Sequence, residues 1–131
     1  MIDPPVLENC VQRFQNEPFV LAAWGHGSAF AGHMRPDSDV DFAILHEAGH
    51  PLDFKQRGLL VADLEDILHR RVDLGEVTTR NLVYAFQAIC TGKRVYCRDT
   101  AATDEFTGRL LSLYADFKQD RAVVETAYRA G

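Results

Sequence analysis

The residues best suited to chemistry are a glycine–serine pair, Gly27-Ser28, followed after ten residues by Asp39-Val40-Asp41. Asp39 and Asp41 stand two apart at the start of an apolar run, so on a strand their carboxylates share one face. Val40, Phe42 and Ile44 then point the other way, although Ala43 and Leu45 make the alternation imperfect. Two carboxylates side by side repel, and a hard, oxygen-seeking cation relieves that repulsion. Mg²⁺, held by a carboxylate or two and by substrate phosphate oxygens, is the natural partner. Gly27 and Ser28 fall where a first strand turns, into a short helix. There glycine lets the backbone approach closely, free N–H groups attract phosphate, and the serine hydroxyl adds a hydrogen bond. One element holding phosphate beside another holding metal is the minimum apparatus for phosphoryl or nucleotidyl transfer. A pair of ions would stabilise the attacking and leaving oxygens together, and preorganised charge would supply most of the rate.

A third carboxylate is needed to hold the second ion and help activate the incoming hydroxyl. Asp73 is the choice, because it alternates with Val72 and Leu74 on a third strand and so can turn toward Asp39 and Asp41. Glu76 takes its place if the register differs.

These residues need a scaffold, and the sequence outlines one. Pro4 and Pro5 suit a first helical turn, and Val6, Leu7, Cys10, Val11 and Phe14 recur at helical spacing up to about Gln15. Phe19 to Trp24 reads as a buried strand running into Gly25 and Gly27, and Val40 to Leu45 as a second strand. From Asp53 a helix carries Leu60, Leu64, Ile67 and Leu68 on one face and ends near Arg70; Val72, Leu74 and Val77 form the third strand. Thr79 is expected to cap the next helix and Gly92 to end it. Arg94 to Cys97 adds a short strand or edge. Thr103 is expected to cap a long final helix with Phe106, Leu110, Leu113, Tyr114, Phe117 and Val124 on one side. The fold class is therefore α/β, a small mixed sheet covered by helices with a long C-terminal helix, and residues 1–131 are read as a single domain.

Bland readings compete at several points. The acids of Asp37-Ser38-Asp39-Val40-Asp41 could be a solvated turn, but the Gly27-Ser28 pair at the right offset and the buried strands argue for a site. His46-Glu47-Ala48-Gly49-His50 fits the HExxH zinc signature, which requires both histidines on one face of a stable helix. Here it follows a strand, contains Gly49 and runs into Pro51, so loop is expected. His26 and His33 flank the glycine turn and read first as surface histidines. Tyr114, Lys118 and Arg121 lie near one another on the last helix, as a partner-facing patch or a solvated face.

Bulk properties narrow the class. A chain of 131 residues with 47% hydrophobic and 25% charged content suits one soluble globular unit. A net charge of −5 argues against broad nucleic-acid binding, while metal ions can still offset nucleotide phosphate locally. No apolar run approaches the roughly 20 residues that span a bilayer, and Met1 to Pro5 does not read as a signal peptide. With Cys10, Cys90 and Cys97 an odd set lacking a CxxC pair, reduced thiols and a cytoplasmic location are expected.

The stretch GSAFAGHMRPDSDVDFAIL, from Gly27 to Leu45, resembles the nucleotidyltransferase superfamily that includes DNA polymerase β. The short length, the segment RVDLGEV and the run ICTGKRVYCRD before a long helix are similar to minimal nucleotidyltransferases, commonly antitoxins paired with HEPN-type ribonuclease toxins. The resemblance covers residues 19–100 well and the final helix loosely. It implies Mg²⁺-dependent transfer of AMP from ATP to a tyrosine of the partner toxin, with Asp39, Asp41 and Asp73 as metal-binding and catalytic acids. One departure is visible. Many relatives read Gly-Ser-Arg-Ala-Arg-Gly where this chain has Gly27-Ser28-Ala29-Phe30-Ala31-Gly32, so triphosphate charge must be met by Arg35 or by metal alone. A binding-only antitoxin or regulator is the alternative that this departure suggests. The final helix could pack on its own core or on a second copy.

Overall fold

In the computed structural model, residues 2–31 and 38–130 are described. The elements run α1 (Pro4–Gln15), β1 (Val20–His26), α2 (Ser28–Ala31), β2 (Val40–His46), α3 (Phe54–Leu68), β3 (Val72–Glu76), α4 (Leu82–Thr91), β4 (Lys93–Cys97) and α5 (Thr100–Ala130). Among the described residues the strands form one four-stranded mixed sheet in the order β3-β2-β1-β4. β1 is antiparallel to both β2 and β4, and β2 is parallel to β3, as the crossover through α3 requires.

Helices cover both faces of this sheet, which explains the imperfect alternation along β2. Val40, Phe42 and Ile44 join Cys10 and Phe14 of α1 and Leu60 and Leu64 of α3 in one core. Ala43 and Leu45 join Trp24, Ala85, Ala88 and Leu110 in a second core beneath α4 and α5. A strand buried on both sides needs no polar face. Asp41 lies in register with this second face at the end of the sheet, where helical cover gives out.

Local signals set most boundaries. Asp53 and Gln56 form a reciprocal capping box at the start of α3, and His69 closes the helix in the left-handed conformation. Gly92 ends α4 as expected. The expected cap at Thr79 is corrected: α4 begins at Leu82, with Asn81 at the cap position. The Asn81 side chain turns back, accepting from Thr78 N and Oγ1 and donating to the Glu76 carbonyl, so the connection from β3 is closed before the helix can start. Thr103 is also not a cap. α5 already begins at Thr100, the Asp99 carboxylate accepts from Ala102 N, and Thr103 is buried with its hydroxyl donating to the Asp99 carbonyl at 2.7 Å.

The HExxH segment is a strand end and a loop, as read: His46 closes β2, Gly49 takes a positive φ of 81°, and the His50 ring stacks on Phe19. Cys10, Cys90 and Cys97 are free thiols, and burial pushes the Cys10 thiol up to about 11. Among the described residues no helix is long and apolar enough to cross a membrane.

Candidate active site

The site grows out of three neighbouring strand positions. His26 is the cross-strand partner of Asp41, and Asp41 is the partner of Asp73. Registered partners project to the same face, so imidazole and two carboxylates form a row across β1, β2 and β3. Asp39 lies just before β2 and is exposed, as is Asp73, while Asp41 is half-buried. This order follows from the sheet: β2 is central, flanked by β1 and β3, so its acid is the one pressed into protein.

The turn after β1 closes on the same row. Gly27 has φ of 79°, a conformation that favours glycine. A Cβ built there would run into Asp41 Oδ2. Glycine is thus required twice over, by the backbone and by the carboxylate pressed against it. Ser28 opens α2, and Phe30 N donates to the Gly27 carbonyl at 3.2 Å. Phe30 fills the space over Gly25 and packs edge-on against Phe42 at 5.7 Å, fixing the turn to the core. Ala29, one of the positions where arginine is usual in relatives, is buried in that core. Arg35, with His33 and Asp37, lies outside the described residues.

Tyr84, which the sequence reading missed, completes the row from above. Its hydroxyl lies 3.3 Å from His26 Nε2, and it occupies the space that a Cβ at Gly75 would need. Burial raises its phenol first, Asp73 and Asp41 raise it further and Arg57 opposes them, leaving it pushed up to about 12. The one available signal was Gly75, because glycine inside a strand often marks a close approach.

Electrostatics single out Asp41. Burial raises its carboxyl above the ordinary value; the nearby His26 works against this, and Asp73 and Asp39 add to it by repulsion. Such a carboxylate, crowded by like charge, gains most from a cation. Asp39, Asp41 and Asp73 could offer a cation only oxygen atoms, a donor chemistry that suits a hard divalent ion better than zinc. As they stand, no three His, Cys, Asp or Glu side chains among the described residues converge as a metal-holding group. Glu76, the substitute third acid, faces away from the row, with its carboxylate 3.9 Å from His46 Nε2 and 3.7 Å from Arg57 Nη1. Arg70 Nη1 donates to the Ser38 carbonyl at 3.3 Å, tying the start of β3 to the backbone that leads into Asp39.

Two recesses lie nearby in the fold. A largely apolar cavity of about 410 Å³, bordered by Leu21, Leu45, Val77 and Phe106, opens at the opposite end of the sheet from the acids. An open recess of about 360 Å³ between Arg80, Val83, Tyr84 and Phe117 adjoins the row through Tyr84.

Residues 8–101 match the family model described as polymerase beta, nucleotidyltransferase. No curated protein sequence matches the chain. Solved structures do. A chain from a mutant of the toxin–antitoxin pair MntA-HpeT aligns with a TM-score of 0.75 at 19% identity, covering 94% of this chain and 98% of that one. A chain from a toxin–antitoxin structure with AMP-PNP gives 0.69 at 23%, covering 93% and 98%. A chain from the complex of tri-AMPylated Shewanella oneidensis HEPN toxin with MNT antitoxin gives 0.67 at 19%, covering 95% and 97%. At these identities the likeness is one of fold. Family model and fold agree on the segment that carries the glycine turn and the acid row: the chain belongs to the polymerase beta nucleotidyltransferase family.

Proposed function

We propose that this chain is a Mg²⁺-dependent nucleotidyltransferase that moves AMP from ATP to a hydroxyl, that of a tyrosine on a partner HEPN-type toxin, and so acts as an antitoxin. The observation that carries the reading is the registered row of His26, Asp41 and Asp73 beside Asp39 and the Gly27 turn. Asp39, Asp41 and Asp73 would hold the metal, which when bound supplies charge stabilisation to the attacking and leaving oxygens. The Gly27-Ser28 turn would bind phosphate through backbone N–H groups, and Arg35 would meet the remaining triphosphate charge. Asp73, exposed at the edge of the row, is the carboxylate that would take the proton of the incoming hydroxyl. The solved relatives support the donor and the partner: one was crystallised with AMP-PNP, and another holds a tri-AMPylated HEPN toxin beside an MNT antitoxin. On this reading residues 1–131 form a single minimal domain that works in the cytoplasm on a protein acceptor, without direct contact to nucleic acid.

A binding-only antitoxin is the second reading. Its support is the burial of Ala29 in the core where relatives carry an arginine. The deciding experiment incubates the protein with labelled ATP and Mg²⁺, alone and with the product of the neighbouring gene, comparing wild type with Asp39→Ala/Asp41→Ala. Label on the neighbour that disappears in the double variant is the expected result. A stable complex without label removes the catalytic reading for that pair and leaves the second.

A further inference from the structure

The final helix is far longer than anything it packs on. α5 runs 31 residues, about 46 Å at 1.5 Å per residue, whereas its main neighbour α4 has 10 residues and spans about 15 Å. The helices are held together by Phe86 stacked on Tyr114 at 3.8 Å, with Phe117 beside the first turn of α4. Beyond Phe117 the helix continues with every side chain exposed through Arg129. The apolar stripe does not stop there. Leu110 is 0% exposed, Phe117 37%, Val124 66% and Tyr128 87%, all on the same side of the helix. An overhang of this length is marginal as an isolated helix in water, so a surface that covers the stripe stabilises it.

The charges on the overhang indicate which surface. From Asp116 to Arg129 it carries Asp116, Asp120 and Glu125 against Lys118, Arg121 and Arg129, a balance of zero on a chain whose total is −5. Asp120 and Arg121 flank the stripe midway between Phe117 and Val124. Two copies of the helix laid antiparallel about a two-fold axis between these residues bring Asp120 of each copy opposite Arg121 of the other. The same axis sets Phe117 against Val124 and Leu113 against Tyr128. A parallel pairing would instead oppose like charges. Arg121 already bonds Glu125 through Nε at 3.0 Å, which leaves its terminal nitrogens free to meet a second carboxylate. We infer that the overhanging half of α5 is an interaction surface for a second copy of this chain, joined antiparallel through Phe117, Val124 and Tyr128 and registered by reciprocal Asp120–Arg121 pairs.

The surface is independent of the chemistry at the acid row. It is tested by sedimentation velocity over a range of concentrations, with helix content followed by circular dichroism. The wild type is expected as a reversible dimer. Asp120→Arg and Arg121→Asp each oppose like charges and should weaken dimerisation roughly tenfold or more. The double exchange Asp120→Arg/Arg121→Asp should restore it, and Val124→Glu should give monomers of unchanged helicity below the overhang. A wild type that stays monomeric throughout the range overturns the proposal. So does a dimer indifferent to the reversals, or a double exchange that fails to recover it. Loss of binding to the HEPN-type neighbour in Val124→Glu, with a monomeric wild type, would assign the stripe to that protein instead.

Discussion

Asp41 and Asp73 are direct partners across the parallel β2–β3 ladder, so the half-buried carboxylate of the central strand faces the exposed carboxylate of the edge strand. Burial of Asp41, opposed by His26 and reinforced by the like charges of Asp73 and Asp39, gives the row its pH dependence. Asp41 is raised in the folded protein, so between the ordinary aspartate value and its own raised one the native state holds a proton that the unfolded chain has lost. Stability without metal should therefore fall as pH rises through that window, the reverse of a salt-bridged aspartate. Mg²⁺ should raise the melting temperature more at neutral pH than below the window. Asp41→Asn should raise the metal-free melting temperature and shrink the Mg²⁺ increment; an increment unchanged in that variant would show that the ion binds elsewhere.

Gly27 and Gly49 share a positive φ, but only Gly27 has a carboxylate where its Cβ would go. Alanine at either should cost roughly 1–2 kcal/mol for the backbone conformation, read by urea denaturation. Gly27→Ala should in addition displace Asp41 and lower nucleotidyl transfer at least tenfold. Gly49→Ala should leave transfer untouched.

Tyr84→Phe removes the hydroxyl that meets His26 and should cost about 1 kcal/mol of stability. Alkaline titration followed by ultraviolet absorbance should lose the phenol that burial pushes up to about 12. Between pH 10 and about 12 the folded protein keeps the Tyr84 proton that the unfolded chain releases, so stability falls as pH rises there. The variant should flatten that slope.

Along α5, burial rather than residue type should decide the cost of truncation. Leu110→Ala, at a fully buried position, should cost about 2–5 kcal/mol. Val124→Ala, on the overhang, should change the stability of the dilute protein by no more than about 0.5 kcal/mol. Equal costs would mean that the far half of the helix folds back onto the body.

Much of this molecule could be read from its sequence, and the failures have identifiable causes. The acid row was legible because strand periodicity is strict: Asp39 and Asp41 had to share a face, and Val72-Asp73-Leu74 had to turn Asp73 outward from the apolar core. The choice between Asp73 and Glu76 hung on the strand register, which the sequence left open and which pairs Asp41 with Asp73. Thr79 and Thr103 misled because cap propensity is local, whereas the Asn81 staple and the burial of Thr103 beside Cys97 are tertiary. Tyr84 was invisible for a related reason. Helical spacing identifies a buried stripe, but which side chain overhangs a strand glycine depends on how α4 is seated. On α5 the periodicity was legible but the extent of burial was not, because a pattern records which residues seek cover, not how long the cover is.

The wedge of Phe30 over Gly25 and against Phe42 has a consequence for how the glycine turn responds to its surroundings. A turn seated by cations would loosen with added salt. This one is seated by aromatic surface, which ions of ordinary strength leave alone and which weakens as water is cooled. Its position should thus be thermally tuned rather than ionically tuned, so that cold, and not salt, is the condition that loosens the glycine turn beside Asp41.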